Sequence, residues 1–210
     1  MSETLQFYDE PTYDDAHRQV ISVAMKAFYK KGVKSVTMDE IAHELTMSKR
    51  TLYQLFVDKE ALLLACIIEE HRMHAEMMEE RMKQTDNVLE LLLVDFSVRL
   101  KALKNVAPAF FVDVARFPKV KEKMKNDRLQ HREKAVHFLQ GGVNQGLFRA
   151  DVNFDIIFDL FMNQLDNLSQ DAQFERYEPI EIFKHCVFFY IRGCTTPKGM
   201  AMMDEFLAQM

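Results

Sequence analysis

The sequence predicts an all-α protein with a small N-terminal helix-turn-helix domain and a larger C-terminal helical domain. Three observations lead to this fold class. Apolar residues recur at three- and four-residue spacing through most of the chain, which is the period of an amphipathic helix. Two short segments with clear helix-start signals follow one another in the first third. Two later segments are apolar on nearly every face, which requires burial on more than one side.

The first helix is predicted over residues 16–31. Val20, Ile21, Ala24 and Phe28 fall on one face of this segment. Gly32 follows two lysines, and this order indicates a helix end. Cations are favoured near the negative C-terminal end of a helix, and glycine readily adopts the left-handed conformation that closes it.

The second helix has an unusually complete start signal. Thr37 can serve as the N-cap, and Glu40 stands three residues later, which is the spacing of a capping box. Val36 before the cap and Ile41 inside the helix can form a hydrophobic staple. The helix spans about two turns only, and helices shorter than ~12–15 residues barely form alone. We therefore expect it to pack against its neighbours.

A third short helix is predicted after Ser48, its expected N-cap. One of its faces is apolar and the other is basic, polar and aromatic. The apolar face comprises Leu52, Leu55 and Phe56, and the other comprises Lys49, Arg50, Tyr53 and Gln54. Two short helices joined by a tight turn predict a helix-turn-helix, whose second helix enters a DNA major groove. Arg50 stands near the start of that helix and could pair two donors with guanine.

The charge distribution agrees with this interpretation. The chain carries a net charge of -5, yet residues 16–59 contain eight basic and four acidic side chains. A basic segment in an acidic protein indicates a local polyanion contact. A solvated basic face is the alternative on charge alone.

Residues 18–62 resemble the N-terminal domain of the TetR family of transcriptional regulators. The resemblance lies in VTMDEIAHEL, MSKRTLYQLF and DKEALL. It implies a homodimer that binds a palindromic operator in double-stranded DNA. Residues 1–60 would form the DNA-binding domain, with residues 1–15 as a flexible arm. Residues 61–210 would carry the dimer interface and the pocket of an unknown small-molecule effector.

The resemblance also implies roles for individual residues. Thr37, Tyr53 and Lys59 would contact phosphates, and the start of the third helix would lie near the bases. The predicted DNA-binding set is Thr37, Ser48, Lys49, Arg50, Thr51, Tyr53, Gln54 and Lys59. Two positions depart from the family pattern, which has glycine in the turn where this chain has Thr46, and often glycine at Arg50. A β-branched residue fits positive φ poorly, which allows for a different local turn.

The remainder of the chain reads as further helices. They are predicted over residues 59–83, 88–104, 109–117, 119–140, 154–168 and 180–191, with the fourth of these ending near Gly141 and Gly142. Aromatic side chains can line an apolar pocket between helices, although each of them more often fills a core. By position in the family, the candidate pocket residues are Phe96, Phe110, Phe111 and Phe138.

The two most apolar helices predict an interface between two copies of the chain. Packing within one protomer covers one side of each helix, and a second copy could cover the other in an isologous four-helix bundle. The candidate interface residues are Phe154, Phe158, Phe161, Leu165, Phe188 and Ile191. The alternative is a central helix that is fully buried in a monomer.

Other functional classes find less support. The longest apolar run, residues 61–68, is too short to span a membrane. The three cysteines lack paired spacing, so a cytoplasmic protein with reduced thiols is expected. No catalytic residue, metal or cofactor is expected. We therefore predict a ligand-responsive transcriptional regulator, and of the two modes of regulation we expect repression rather than activation. The alternatives are a helical-bundle enzyme or carrier, and a DNA-binding regulator without a small-molecule ligand.

Overall fold

The computed structural model describes residues 13–168 and 176–209, and within them the chain forms ten α-helices. In chain order they are α1 (Asp15–Lys31), α2 (Met38–Glu44), α3 (Lys49–Leu55), α4 (Lys59–Met82), α5 (Val88–Leu103), α6 (Pro108–Val114), α7 (Pro118–Asn144), α8 (Phe154–Leu168), α9 (Pro179–Cys194) and α10 (Pro197–Ala208). The only β pairing in this part of the chain is one bridge between Phe148 and Thr195. The predicted all-α fold is confirmed.

The helices divide into two compact units. The first comprises Met1–Glu79 and Asn105–Asp127, and the second comprises Glu80–Lys104 and Arg128–Met210. Helices α4 and α7 contribute residues to both. The expected functional boundary at residue 60 concerns DNA and ligand binding, so it stays a prediction.

One apolar core holds the first unit together. It is built from α1 to α4, α6 and the start of α7, and its fully buried side chains include Val20, Phe28, Val33, Ile41, Leu52, Leu62, Leu63 and Val120. Cys66 lies in this core, and burial raises the pKa of its thiol. The core fixes α2 and α3 through their inner faces, as their apolar periodicity predicts.

The second unit is organised around α5, α9 and α10, with α8 packed on α9. Phe96 on α5 lies with its ring centroid 4.9 Å from that of Phe188 on α9. Arg132 on α7 joins α8 through Asp155, at 2.7 Å, and Asp159, at 2.9 Å. Helix α9 is therefore covered by α5 on one side and by α8 on another.

Two features differ from the predicted elements. Helix α7 continues through Gly141 and Gly142 to Asn144, and Gly142 serves close packing rather than helix termination. A Cβ at Gly142 would overlap the ring of Phe148. The left-handed residue that closes α7 is Gly146, with φ 68°. Helix α10 is not among the predicted elements. The expected N-terminal arm lies largely outside the described residues.

Candidate nucleic-acid interface

Helix α2 begins in the capping box that the sequence predicts. The Thr37 hydroxyl accepts a hydrogen bond from the Glu40 N–H at 3.2 Å, and the Glu40 carboxylate accepts one from the Thr37 N–H at 2.8 Å. The bond from the Thr37 N–H, with a second from its hydroxyl, holds the pKa of the Glu40 carboxyl below its usual value. The two bonds from N–H groups satisfy backbone donors that the first turn of a helix otherwise leaves unpaired. The start of α2 is therefore fixed by local chemistry.

The turn between α2 and α3 keeps the left-handed conformation that glycine usually supplies. Thr46 has φ 53°. Its N–H donates to the carbonyl of His43 at 3.0 Å, and the N–H of Met47 donates to the carbonyl of Ala42 at 2.9 Å. This pair of bonds defines a Schellman motif. The possibility of a different local turn is therefore wrong, because these two bonds impose the left-handed conformation on Thr46.

Helix α3 is capped by Ser48 and docked by its apolar face. The Ser48 hydroxyl accepts from the Thr51 N–H at 3.1 Å, and the two hydroxyl oxygens lie 2.7 Å apart. Leu52 and Phe56 are buried in the core of the first unit. The opposite face of α3 is consequently directed to solvent.

The predicted DNA-binding residues fall into two groups in the structure. In the first group each side chain already has a partner within the protein, and its members are Thr37, Ser48, Thr51, Lys49 and Lys59. The Lys49 Nζ lies 2.8 Å from Asp39 Oδ1 on α2, and the Lys59 Nζ donates to three backbone carbonyls. The other group comprises Arg50, Tyr53 and Gln54, which are exposed on one face of α3. Among the residues that the structure describes, the side chains of this second group have no hydrogen-bond partner. They are the groups best placed to meet a ligand in solution.

The four candidate pocket residues do not form one cluster. Phe110 and Phe111 contact each other in the first unit, and Phe110 also packs against Tyr29. In the second unit Phe96 is buried among α5 and α9, and Phe138 packs against a separate core. Two surface cavities of the second unit, of about 380 and 290 Å³, are lined by other residues. The role of the four phenylalanines in ligand binding stays a prediction.

The candidate interface residues lie mainly on the inner sides of α8 and α9. Phe154 is buried in the core of its own unit. Phe161, Phe188 and Ile191 pack, half-buried, around Phe96, while Phe158 and Leu165 are half-buried on α8. A side chain already covered by its own protomer offers little surface to a partner. Among the side chains of α8 and α9 that the structure describes, the large apolar ones that remain exposed are Ile156, Leu160 and Phe189.

Asp113 is a buried polar residue that sequence reasoning does not identify. It lies on α6, and its Oδ2 accepts a hydrogen bond from the N–H of Lys34 at 2.7 Å. The two residues are 79 positions apart in the chain, so no local pattern could link them. The sequence offers only a weak signal, namely one aspartate within the apolar segment AFFVDV.

Comparisons with known proteins show which proteins this chain is similar to. Residues 20–66 match the family model described as bacterial regulatory proteins of the tetR family. The chain is 23% identical over 158 residues to YvkB of Bacillus subtilis (strain 168), an uncharacterized HTH-type transcriptional regulator. That match covers 71% of this chain and 82% of YvkB.

Solved structures share the architecture. The TetR family protein CprB from S. coelicolor A3(2) has a TM-score of 0.66 and 20% identity, covering 92% of this chain and 94% of CprB. A transcriptional regulator from Saccharomonospora viridis, solved in complex with choline, has a TM-score of 0.63 and 18% identity, covering 87% and 98%. At these identities the likeness establishes the fold. Among the helices that the structure describes, none is both long and apolar enough to cross a membrane.

Proposed function

Because this chain belongs to the TetR family of bacterial regulatory proteins, we propose that it is a homodimeric repressor that binds a palindromic operator and leaves it when a small effector binds. The observation that carries the proposal is the solvent-facing side of α3, where Arg50, Tyr53 and Gln54 are exposed on a rigidly capped helix. In this proposal the protein binds DNA and ligand and catalyses no reaction.

The three exposed side chains suit different parts of a DNA site. Arg50 lies in the first turn of α3, and in helix-turn-helix proteins this end of the recognition helix contacts base edges. An arginine can donate two hydrogen bonds to guanine O6 and N7. The Tyr53 hydroxyl lies one turn later, where a phosphate is the expected acceptor. We assign Arg50 to base reading and Tyr53 to positioning on the backbone.

The direct test is to select bound fragments from random DNA with purified protein, and then to compare Arg50→Ala with Tyr53→Phe. Arg50→Ala should cost roughly 1–3 kcal/mol on the selected site and relax the preference at one base position. Tyr53→Phe should weaken binding to all sequences similarly. An Arg50→Ala variant with unchanged affinity and base preference would refute the assignment, and selection that yields no common sequence would refute the proposed function.

Assembly as a homodimer is supported by an uncovered apolar face on α8 and α9. Ile156 and Leu160 are 56% and 51% exposed, and Phe189 is 76% exposed. Ile156, Leu160 and Gln164 recur every four residues along α8, and Gln164 lines the 380 Å³ cavity together with Phe189. Large apolar side chains gathered on one face mark an interaction site. We propose a second copy as the partner, since a palindromic operator requires two reading helices.

Phe189→Glu tests this interface. A carboxylate at the most exposed position of the apolar face should convert the dimer to a monomer, because pairing would bury an unpaired charge. Val57→Glu is the matched control, since Val57 is 72% exposed in the first unit and should leave the mass unchanged. Sedimentation of the purified protein gives the mass. A wild-type monomer at micromolar concentration, or a dimer in Phe189→Glu, would contradict the proposal.

Release by an effector rests on two observations. The S. viridis regulator with the same fold was solved with bound choline, and helix α4 of this chain contributes residues to both units. A ligand that displaces α4 would change the spacing of the reading helices. Such couplings are typically ~1–3 kcal/mol, so operator affinity should fall roughly 5–150-fold. Calorimetric titration of effector with and without operator measures this, and equal effector affinities would contradict the coupling.

A further inference from the structure

The loop between α1 and α2, residues 32–36, is held by side chains from two other helices. It ends at Thr37, the N-cap of α2. Helix α2 packs against α1 and α3. Any change in this loop therefore changes the position at which α2 begins, and with it the support of α3.

Lys59, the first residue of α4, contacts the loop from one side. Its Nζ donates to the carbonyl oxygens of Val33 at 2.9 Å, Lys34 at 3.3 Å and Val36 at 2.9 Å. An ammonium group has three N–H donors, and all three are used inside the fold. None remains for the phosphate contact that the family resemblance implies for this lysine.

Asp113 contacts the same loop from α6. Its Oδ2 accepts the N–H of Lys34 at 2.7 Å, and the carboxylate is buried. The loop and α6 approach closely, because a Cβ at Gly32 would lie 2.9 Å from the Cβ of Ala109. Gly32 also has φ 78°, so both the turn and the close approach require glycine. The loop is thus fixed by one cation and one anion, each bonded to its backbone.

We propose that Lys59 and Asp113 are positioning residues for DNA binding, which act by fixing residues 32–36 and do not touch DNA. This inference rests on the proposed function. Charged groups bonded to backbone form shorter and stronger hydrogen bonds than neutral ones, so the two contacts determine where α2 starts. The outer face of α3 then meets the major groove in one orientation.

The substitution Lys59→Arg distinguishes a positioning role of Lys59 from a direct contact between Lys59 and a DNA phosphate. Arginine keeps the charge and would still bind a phosphate, but its planar guanidinium cannot direct three donors to carbonyls that converge on one atom. We expect operator affinity to fall roughly tenfold, with no change in the slope of log affinity against log salt. Lys59→Met should also weaken binding at unchanged slope. Loss of a phosphate contact would instead reduce the slope by about 0.9.

For Asp113→Ala, the positioning role and simple electrostatics predict opposite changes in DNA affinity. Removal of a negative charge should strengthen binding to a polyanion, whereas loss of a positioning contact should weaken it. Glu122→Ala is the matched control, since Glu122 is an exposed acid on α7 in the same unit, and it should not weaken binding. Circular dichroism confirms that each variant is folded.

Amide hydrogen exchange on the unaltered protein tests the same contact without any variant, so the test holds even where a variant fails to fold. The Lys34 amide should exchange slowly with solvent, because Asp113 accepts its proton, and rapid exchange would overturn the proposal. A Lys59→Met slope reduced by about 0.9, or full affinity in Lys59→Arg or Asp113→Ala, would overturn it while leaving the proposed function intact. Unaltered protein that binds no specific DNA would instead refute the proposed function, and the positioning role with it.

Discussion

Replacing Thr46 with glycine should stabilise the protein. Among the described residues Thr46 is the one non-glycine residue with positive φ, at 53°, and its side chain is exposed. A left-handed conformation costs an L-residue about 1–2 kcal/mol, and glycine removes this cost. Glycine in turn loses about 0.5–1 kcal/mol more backbone entropy on folding. The net expectation is a stabilisation of roughly 0.5–1 kcal/mol.

Urea unfolding followed by circular dichroism measures this difference, at one protein concentration because the stability of any oligomer depends on concentration. The mirror substitution, Gly146→Thr, provides the control. Gly146 closes α7 in the position that Thr46 occupies after α2, with φ 68°, and a Cβ added there would meet no atom within 4 Å. It should destabilise by roughly 0.5–1 kcal/mol, because the same left-handed cost and backbone entropy apply with the opposite sign.

The expected stabilisation is refuted if Thr46→Gly leaves the unfolding midpoint unchanged or lowers it while Gly146→Thr behaves as expected. That result would mean that the Thr46 side chain stabilises the turn by more than its backbone strain. A neutral Gly146→Thr would show instead that the left-handed cost is small in this fold.

Three further substitutions each test one contact within the first unit. Burial, and after it the nearby Glu70 carboxylate on α4, raise the pKa of the Tyr29 hydroxyl, so Tyr29→Phe should lower the unfolding free energy in urea by about 1 kcal/mol through the loss of its interaction with Glu70; an unchanged midpoint would contradict this. Asp39→Asn frees Lys49 and removes a negative charge beside α3, so DNA affinity in a salt titration should rise, and weaker binding would contradict this. The pKa of Glu40 is lowered by its bonds to the N-cap, so its stabilisation is present at neutral pH and is lost as the pH falls through the lowered value. Glu40→Gln should therefore lose less stability than the unaltered protein between roughly pH 5 and pH 3, and identical pH profiles would contradict the assignment.

The sequence by itself determines the helices and most of their starts. The capping box of Thr37 and Glu40 and the cap of Ser48 on Thr51 each connect residues three positions apart. Such signals act within one helical turn, so they can be recognised without knowledge of the fold. The exposed face of α3 is predictable for the same reason, since Arg50 and Gln54 share a face by periodicity alone.

Only the tertiary structure decides which apolar face lies inside and which buried polar groups meet. Helix α9 is apolar on nearly every side, so its sequence cannot distinguish Phe188, which packs on α5, from Phe189, which is exposed. The phosphate contact expected of Lys59 stays a prediction, and only the structure shows that its ammonium donates to carbonyls of the α1–α2 loop. Asp113 meets Lys34 across 79 positions. These contacts depend on how distant helices pack, and local spacing carries no information about that packing.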